Sequence, residues 1–322
     1  MRVTYFGGIE AGGTKFICAV GDSSGKILEQ INIPTATPNV TMPEVIRFFE
    51  EMNKKTPLSA MGIGSFGPVD PDPESPYFGY ITTTPKLAWS QYNILGAVKE
   101  VFSIPMGFDT DVNAAALGEY RFGAAKNIDT FIYVTVGTGI GGGGMIDGNL
   151  MHGLMHPEMG HIFIPHDKEH DPFGGVCPFH GDCLEGLASG PSMMKRWGVA
   201  SALDLPVDHP AWVLEADYLA YAIANWIEIL SPKKIIMGGG VMKQKSLLAK
   251  IHPKVQSILN GYIKHRTIIE DIENYIIHPG LGEQSGILGA IALAEQAHLY
   301  AQEKVLWSEH DAKKRSQSKP IE

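Results

Sequence analysis

Gly8-Ile9-Glu10-Ala11-Gly12-Gly13-Thr14-Lys15-Phe16-Ile17-Cys18-Ala19-Val20 reads as a short apolar run, a glycine-rich turn carrying a threonine and a lysine, and a second apolar run, closed by the turn Gly21 to Gly25. Apolar runs of this length between glycine turns predict strands of a β-meander. The design returns at Phe131-Ile132-Tyr133-Val134-Thr135-Val136, which leads into Gly137-Thr138-Gly139-Ile140-Gly141-Gly142-Gly143-Gly144 and then the turn Asp147-Gly148-Asn149. The two turns lie about 125 residues apart, each with a threonine between strands, so the chain is expected to be an internal duplication whose halves face each other. Gly139-x-Gly141-x-x-Gly144 matches a dinucleotide fingerprint only formally, because a strand and turn follow it where that site needs a helix. Gly8-x4-Gly13-Thr14-Lys15 has Thr and Lys in the wrong order for a P-loop and is also followed by a strand. What both turns offer is bare backbone N–H groups, hydroxyls and one ammonium, a set suited to phosphate oxygens.

Between and beyond the turns the pattern alternates strand and helix. A helix is expected over Met42–Met52 and a strand over Ala60–Gly64, ending in Ser65-Phe66-Gly67-Pro68-Val69-Asp70. Open α/β sheets bind ligands at the carboxyl ends of their strands, which makes Gly67 and Pro68 candidate substrate contacts. A proline-bearing loop over 71–86 would border the pocket. A helix follows over Leu95–Val101, and a strand over Pro105–Phe108 then delivers Asp109-Thr110-Asp111-Val112-Asn113 to an alanine-rich helix. A carboxylate at such a junction can take a proton from a substrate hydroxyl, or simply cap the helix; Asp109 and Asp111 are both placed for it. A long helix is expected over Trp212–Leu230. The strand from Lys233 ends in a third glycine turn, Gly238-Gly239-Gly240-Val241, which could underlie a flat base or merely open a helix. Gly280 to Gly286 opens a helix over Ile287–Tyr300, and the charged, aperiodic stretch 302–322 is expected to be disordered.

A second concentration of chemistry lies in Cys177-Pro178-Phe179-His180-Gly181-Asp182-Cys183-Leu184-Glu185, with His161 sixteen residues before Cys177. Six of the twelve histidines fall between His152 and His180, and two of the three cysteines lie in this run, so His161, Cys177, His180 and Cys183 are expected to form a closed tetrahedral Zn2+ site. Four protein ligands leave no open position for hydrolysis. The metal would instead pin Glu158 and Glu185, which flank its ligands, into one wall of a pocket.

At 322 residues and 44% hydrophobic content the chain can fill two cores. A net charge of −9 argues against a nucleic-acid partner, which needs a basic face. No apolar run reaches the length of a signal peptide or membrane helix, and three cysteines in a metal-type pattern fit a reducing compartment, so a cytoplasmic protein with no membrane partner is expected.

Taken together, Gly12-Gly13-Thr14-Lys15, Asp111-Val112-Asn113 to Glu119, Gly137-Thr138-Gly139, Pro157-Glu158-Met159-Gly160-His161 and the Cys/His run ending in Glu185 resemble the ROK family of sugar kinases from about Gly7 to Tyr300. The opening from Gly7 to Phe16 is most similar to the family's bacterial zinc-containing fructokinases. The resemblance implies an actin-like ATPase (ribonuclease H-like) α/β fold, two duplicated domains with a cleft between them: 1–112 plus about 287–301, and 113–286 with the zinc loop. It implies an ATP- and Mg2+-dependent phosphorylation of the 6-hydroxyl of fructose, with Asp111 as base, and a homodimer is expected. Glu10, Gly12, Gly13, Thr14, Lys15, Gly137, Thr138 and Gly139 would hold phosphates and Mg2+, and Gly238, Gly239, Gly240 and Val241 would border adenosine. Gly67, Pro68, Thr110, Glu158, His161 and Glu185 would hold the sugar. Three positions depart from the family pattern: Glu10 stands where Asp is common, Thr110 where Asn is usual, and His180 where a third Cys is common. A kinase preferring mannose or glucose shares all these motifs, and a non-catalytic sugar sensor would keep the glutamates without needing Asp111. With no helix-turn-helix before Gly7, the family's regulator branch is not expected.

Overall fold

The computed structural model describes residues 3–317, with side chains as far as Trp307. The first half runs β1 (Tyr5–Ala11), β2 (Lys15–Asp22), β3 (Ile27–Pro34), α1 (Pro38–Lys55), β4 (Leu58–Ser65), the short pair β5 (Tyr80–Ile81) and β6 (Tyr92–Asn93), α2 (Ile94–Lys99), β7 (Met106–Thr110) and α3 (Asp111–Phe122). The second runs β8 (Phe131–Val136), β9 (Ile140–Ile146), β10 (Asn149–Leu150), α4 (Leu184–Ala188), α5 (Gly190–Trp197), α6 (Ala211–Leu230), β11 (Ile235–Gly238), α7 (Leu247–Leu259), α8 (Arg266–Ile269), α9 (Ile272–Tyr275), β12 (Ile276–Ile277) and α10 (Ser285–Gln317).

The expected duplication is present in the sheets. One has the order β3-β2-β1-β4-β7 and the other β10-β9-β8-β11-β12. In each, a central strand pairs antiparallel with the hairpin strand that follows it and parallel with the next strand along. This is the actin-like ATPase architecture that the resemblance implied, with each glycine turn joining the equivalent hairpin of its half.

Strand alternation sends successive side chains to opposite faces, and both sheets use it to bury two faces. In β8, Ile132, Val134 and Val136 enter a core with Trp212, Leu219 and Ile223 of α6, while Phe131 and Tyr133 pack with Ala115 and Ala116 of α3. In the first sheet, Ile9, Phe16 and Ile63 meet Val45 and Phe49 of α1, while Phe6, Ile17 and Ala60 meet Ile287 and Ile291 of α10. Thus α3 and α10 lie between the two sheets. Their approach is close enough to exclude a side chain: a Cβ on Gly289 would sit 1.6 Å from the Ala114 carbonyl oxygen, and one on Gly62 would sit 2.0 Å from that of Ala290. Buried Glu119 near the end of α3 clamps the turn before α10. Its carboxylate accepts from the N–H groups of Ala124, Gly280 and Leu281 and from the Ser285 hydroxyl, at 2.7–3.0 Å.

One expectation changes. The segment from Gln302, expected to be disordered, is helical as far as Gln317, and 318–322 lie outside the described residues. Between Gly289 and Pro320 no Gly or Pro interrupts a run rich in Ala, Glu, Gln, Lys and Leu. Such residues let a helix already anchored on a sheet continue without an apolar period.

Candidate active site and metal cluster

The carboxyl ends of β1, β4 and β7 in one sheet, and of β8 and β11 in the other, open on a common cleft, as strand ends in α/β sheets do. A cavity of about 1600 Å³ runs along it, lined by Gly12 to Lys15, Gly67, Pro68, Thr110, Asp111, Gly137 to Gly139, Glu158, His161, His180 and Glu185. A second cavity of about 630 Å³ continues beyond it, bounded by Tyr133, Gly238 to Gly240, Met242, His278, Pro279 and Gly286. Glu10, Lys15, Asp111 and Lys243 line both, so they stand where the two spaces meet.

The two glycine turns face each other there. Thr14 Oγ1 and Thr138 Oγ1 are 3.0 Å apart across 124 residues of sequence. Gly12 N–H closes its own turn on Lys15 O at 3.1 Å and Gly137 N–H closes on Gly139 O at 2.9 Å. These two glycines therefore shape the turns. In the third turn the faces differ: a Cβ on Gly238 would be 2.5 Å from the Tyr133 hydroxyl, whereas nothing lies within 4 Å of one on Gly240. The open backbone face is thus that of Gly240, and Val241 is buried behind it.

The structure separates the two aspartates that the sequence left open. Asp109 is buried and fully occupied: Oδ1 accepts from Thr110 N and Asn113 Nδ2 at 2.7 and 2.9 Å, and Oδ2 faces His152 Nε2 at 2.8 Å. That carboxylate holds His152 above its usual imidazole range. The cap of α3 is Thr110, whose hydroxyl accepts from Asn113 N at 3.0 Å, so neither aspartate is needed as the cap. Asp111 receives the N–H of Val112 at 2.9 Å and turns into the cleft. Burial pushes its carboxyl up to about 6, opposed by backbone hydrogen bonds. Glu10 lies beside it, pushed up to about 7 by burial and then by the charge of Asp111, and its Oε2 has no hydrogen-bond partner among the described residues.

Glu158 and Glu185 form the opposite wall. Glu185 Oε2 accepts from Ile140 N at 2.9 Å, which ties it to the strand after the second glycine turn. Glu158 is partly exposed, and burial followed by the charges of Glu185 and Asp111 pushes it up to about 7. His161 stands behind both, with Nε2 at 3.8 Å from Glu158 Oε2 and 4.0 Å from Glu185 Oε1. Its other nitrogen turns away toward the cysteines.

His161 Nδ1 is 3.7 Å from Cys177 Sγ and 3.5 Å from Cys183 Sγ, and His180 Nδ1 is 3.6 Å from Cys177 Sγ. All four ligand atoms lie within 4.8 Å of one another. With metal–sulfur bonds of about 2.3 Å and metal–nitrogen bonds of about 2.0 Å, the sulfur–nitrogen edge of a tetrahedron is about 3.5 Å, so the donor set fits a zinc-type ion in size and chemistry. Burial holds the Cys183 thiol above its ordinary value, a cost that a bound cation reverses by favouring the thiolate.

Three side chains of the cleft carried no sequence signal. His156 accepts the Val69 N–H through Nε2 at 3.0 Å, which leaves Nδ1 to carry the proton, 3.7 Å from Glu158 Oε1. It braces the Gly67–Pro68 turn, whose peptide bond is cis, against the glutamate wall. Lys86, from the proline-bearing loop, reaches the first glycine turn: its Cε is 3.4 Å from where a Cβ on Gly13 would lie. Lys243, just past the third turn, lines both cavities.

The ROK family model matches residues 6–297 of this chain. A Bacillus subtilis (strain 168) protein is 51% identical over 90% of this chain and 95% of its own length. The fructokinases of Pediococcus pentosaceus and Zymomonas mobilis subsp. mobilis are 44% and 45% identical, each over 90% of this chain and 98% and 96% of their own lengths. Among solved structures, the ROK hexokinase from Thermus thermophilus superimposes with a TM-score of 0.71 at 24% identity, covering 91% of this chain and 99% of that one. A ROK family glucokinase from Streptomyces griseus, in complex with glucose and AMPPNP, gives 0.67 at 25% identity, covering 92% and 100%.

Proposed function

This chain belongs to the ROK family, and on that premise we propose that it is a sugar kinase that transfers the terminal phosphoryl group of ATP to the 6-hydroxyl of D-fructose. The observation that carries the reading is Asp111, a desolvated carboxylate at the meeting point of the two cavities, beside a partner aspartate whose oxygens are already spoken for. The sugar lies in the larger cavity between Asp111 and the wall of Glu158 and Glu185. The nucleoside lies in the smaller, with its base over Gly240, and its phosphates reach through the junction into the larger, between the two glycine turns. Asp111 takes the proton of the sugar hydroxyl as that oxygen bonds to phosphorus. The bond from phosphorus to the bridging oxygen breaks, and ADP leaves with the electron pair.

Lys15, Thr14 and Thr138 orient the phosphates, and backbone N–H groups of both turns complete the cradle. Glu10, with an unpartnered buried oxygen, is suited to Mg2+ arriving with the nucleotide. When bound, that ion neutralises phosphate charge. His161, Cys177, His180 and Cys183 are suited to a structural Zn2+, which fixes His161 so that its Nε2 proton faces the two glutamates. Closure of a lobe of residues 1–112 plus 287–301 on one of 113–286 excludes water from the transferring phosphoryl group. The fructose assignment is supported by the relatives named fructokinase at 44% and 45% identity.

A coupled assay of ADP release with fructose, mannose and glucose tests this reading. Fructose is expected to give the highest kcat/KM, mannose less and glucose least. A preference for glucose would overturn the sugar assignment, and absence of phosphoryl transfer to any hexose would overturn the kinase reading.

A further inference from the structure

Among the described lysines and arginines, only Lys15 and Lys243 line both cavities. Lys15 belongs to the first glycine turn. Lys243 follows the third, and its ammonium is paired with the Glu283 carboxylate, which stands in the turn just before α10. Glu283 also lines the smaller cavity, from the opposite wall. Both side chains are more than half exposed, 54% and 68%, so the pair spans the rim of the cavity where water reaches it. Glu283 is held below the usual carboxylate range by Lys243 first and more weakly by Lys15, and its charge helps to raise Glu10, which places it within electrostatic reach of the junction.

An ion pair at an exposed rim is held weakly, because water screens it and both long side chains lose freedom to make it. A polyphosphate entering between Lys15 and Lys243 carries several negative charges and presents oxygens to which an ammonium bonds more strongly than to one solvated carboxylate. Glu283 would then be left facing the same charges and would be repelled from them. We propose that Lys243 is a phosphate-positioning residue that exchanges Glu283 for the terminal phosphates of the nucleotide, so that the pair is a latch across the donor cavity that opens as the nucleotide enters. This rests on the reading that the smaller cavity holds the phosphoryl donor. Lys243 shares both cavities with Lys15 of the first glycine turn, and that shared cationic position assigns it to the phosphate chain; AMP, which lacks the terminal phosphates, serves as the control.

Calorimetric titration of the full chain with AMP, ADP and AMPPNP in the presence of Mg2+ tests the latch. Lys243→Gln is expected to weaken AMPPNP about ten-fold, the effect of one charge-assisted hydrogen bond, and to leave AMP within about two-fold. Glu283→Gln, which removes the competitor, is expected to tighten AMPPNP by about two- to five-fold, and Lys243→Arg to keep most of the wild-type affinity. Both side chains are exposed, so thermal unfolding of the variants should match wild type. The latch is overturned by unchanged AMPPNP affinity in Lys243→Gln, by equal weakening of AMP and AMPPNP, or by weaker AMPPNP binding in Glu283→Gln. Photolabelling with 8-azido-ATP separates the two levels. Labelling outside 237–245 and 278–286 overturns the donor-cavity reading and the latch together. Labelling within those segments with unchanged affinities overturns the latch alone.

Discussion

Replacing Asp111 by Asn should abolish turnover and make the protein more stable, a pairing of effects that separates a desolvated base from a structural carboxylate. Burial raises Asp111 from 3.8 to about 6, so between those values the native state binds more protons than the unfolded chain. Stability therefore falls as pH rises through that window, and the deficit persists at pH 7. A displacement of about two pH units corresponds to about 3 kcal/mol of destabilisation by the ionised group. Asn has the same shape and can still accept the Val112 N–H, but it carries no charge into the cleft. The variant should gain about 1–3 kcal/mol at pH 7, or several degrees in Tm, and the gain should vanish below about pH 4, where the wild-type carboxyl is protonated in both states. Fructose phosphorylation should fall by about 100-fold or more, because a carboxamide cannot take the hydroxyl proton. In the wild type, kcat/KM should decline as pH drops through about 6, reaching about a tenth of its plateau one unit below. Thermal unfolding at pH 4 and pH 7, with the coupled assay, reads all three. An Asn variant less stable than wild type at pH 7, or one with near-normal turnover, would refute the reasoning.

Metal analysis should find about one zinc per chain; removal by a chelator should weaken fructose binding by freeing His161 and the glutamate wall, with AMPPNP affinity little changed. Equal loss of both affinities would count against a role confined to the sugar side. Gly160→Ala should destabilise by about 3 kcal/mol or more, because its Cβ would lie 1.7 Å from the Ile140 carbonyl oxygen and push the segment carrying His161 aside. Gly153→Ala meets nothing within 4 Å and should unfold within about 0.5 kcal/mol of wild type, so similar melts for the two would be evidence against the packing described. Thr110→Asn should preserve α3, since Asn caps a helix as well as Thr, and should shift the ratio of fructose to glucose kcat/KM toward the aldohexose; an unchanged ratio would remove Thr110 from the specificity determinants.

How far the chain could be read without coordinates follows from which interactions are local. The two glycine turns, the strands around them and the Cys177–Cys183 run are written in spacings of a few residues, and both the internal duplication and the four-ligand cluster followed from those spacings. The residue pattern alone left Asp109 and Asp111 open and only the resemblance pointed to Asp111, because the difference in their surroundings depends on His152 and Asn113 saturating one carboxylate and leaving the other to the cleft. His156 was hidden for the same reason: its role comes from the Val69 N–H, 87 residues away. The pairing of Lys243 with Glu283 needs the segment after β11 and the turn before α10 to face each other across a cavity, and no periodicity records that meeting. The extension of α10 shows the converse, since a helix that its own composition tolerates became ordered because Gly62 and Gly289 let its first turns seat on a sheet and on α3. Sequence by itself determined which groups the chain carries and the turns that present them. Tertiary structure decided which of those groups are desolvated, which are already bonded and which remain free to act, because burial and hydrogen-bond saturation are set by residues far apart in the chain.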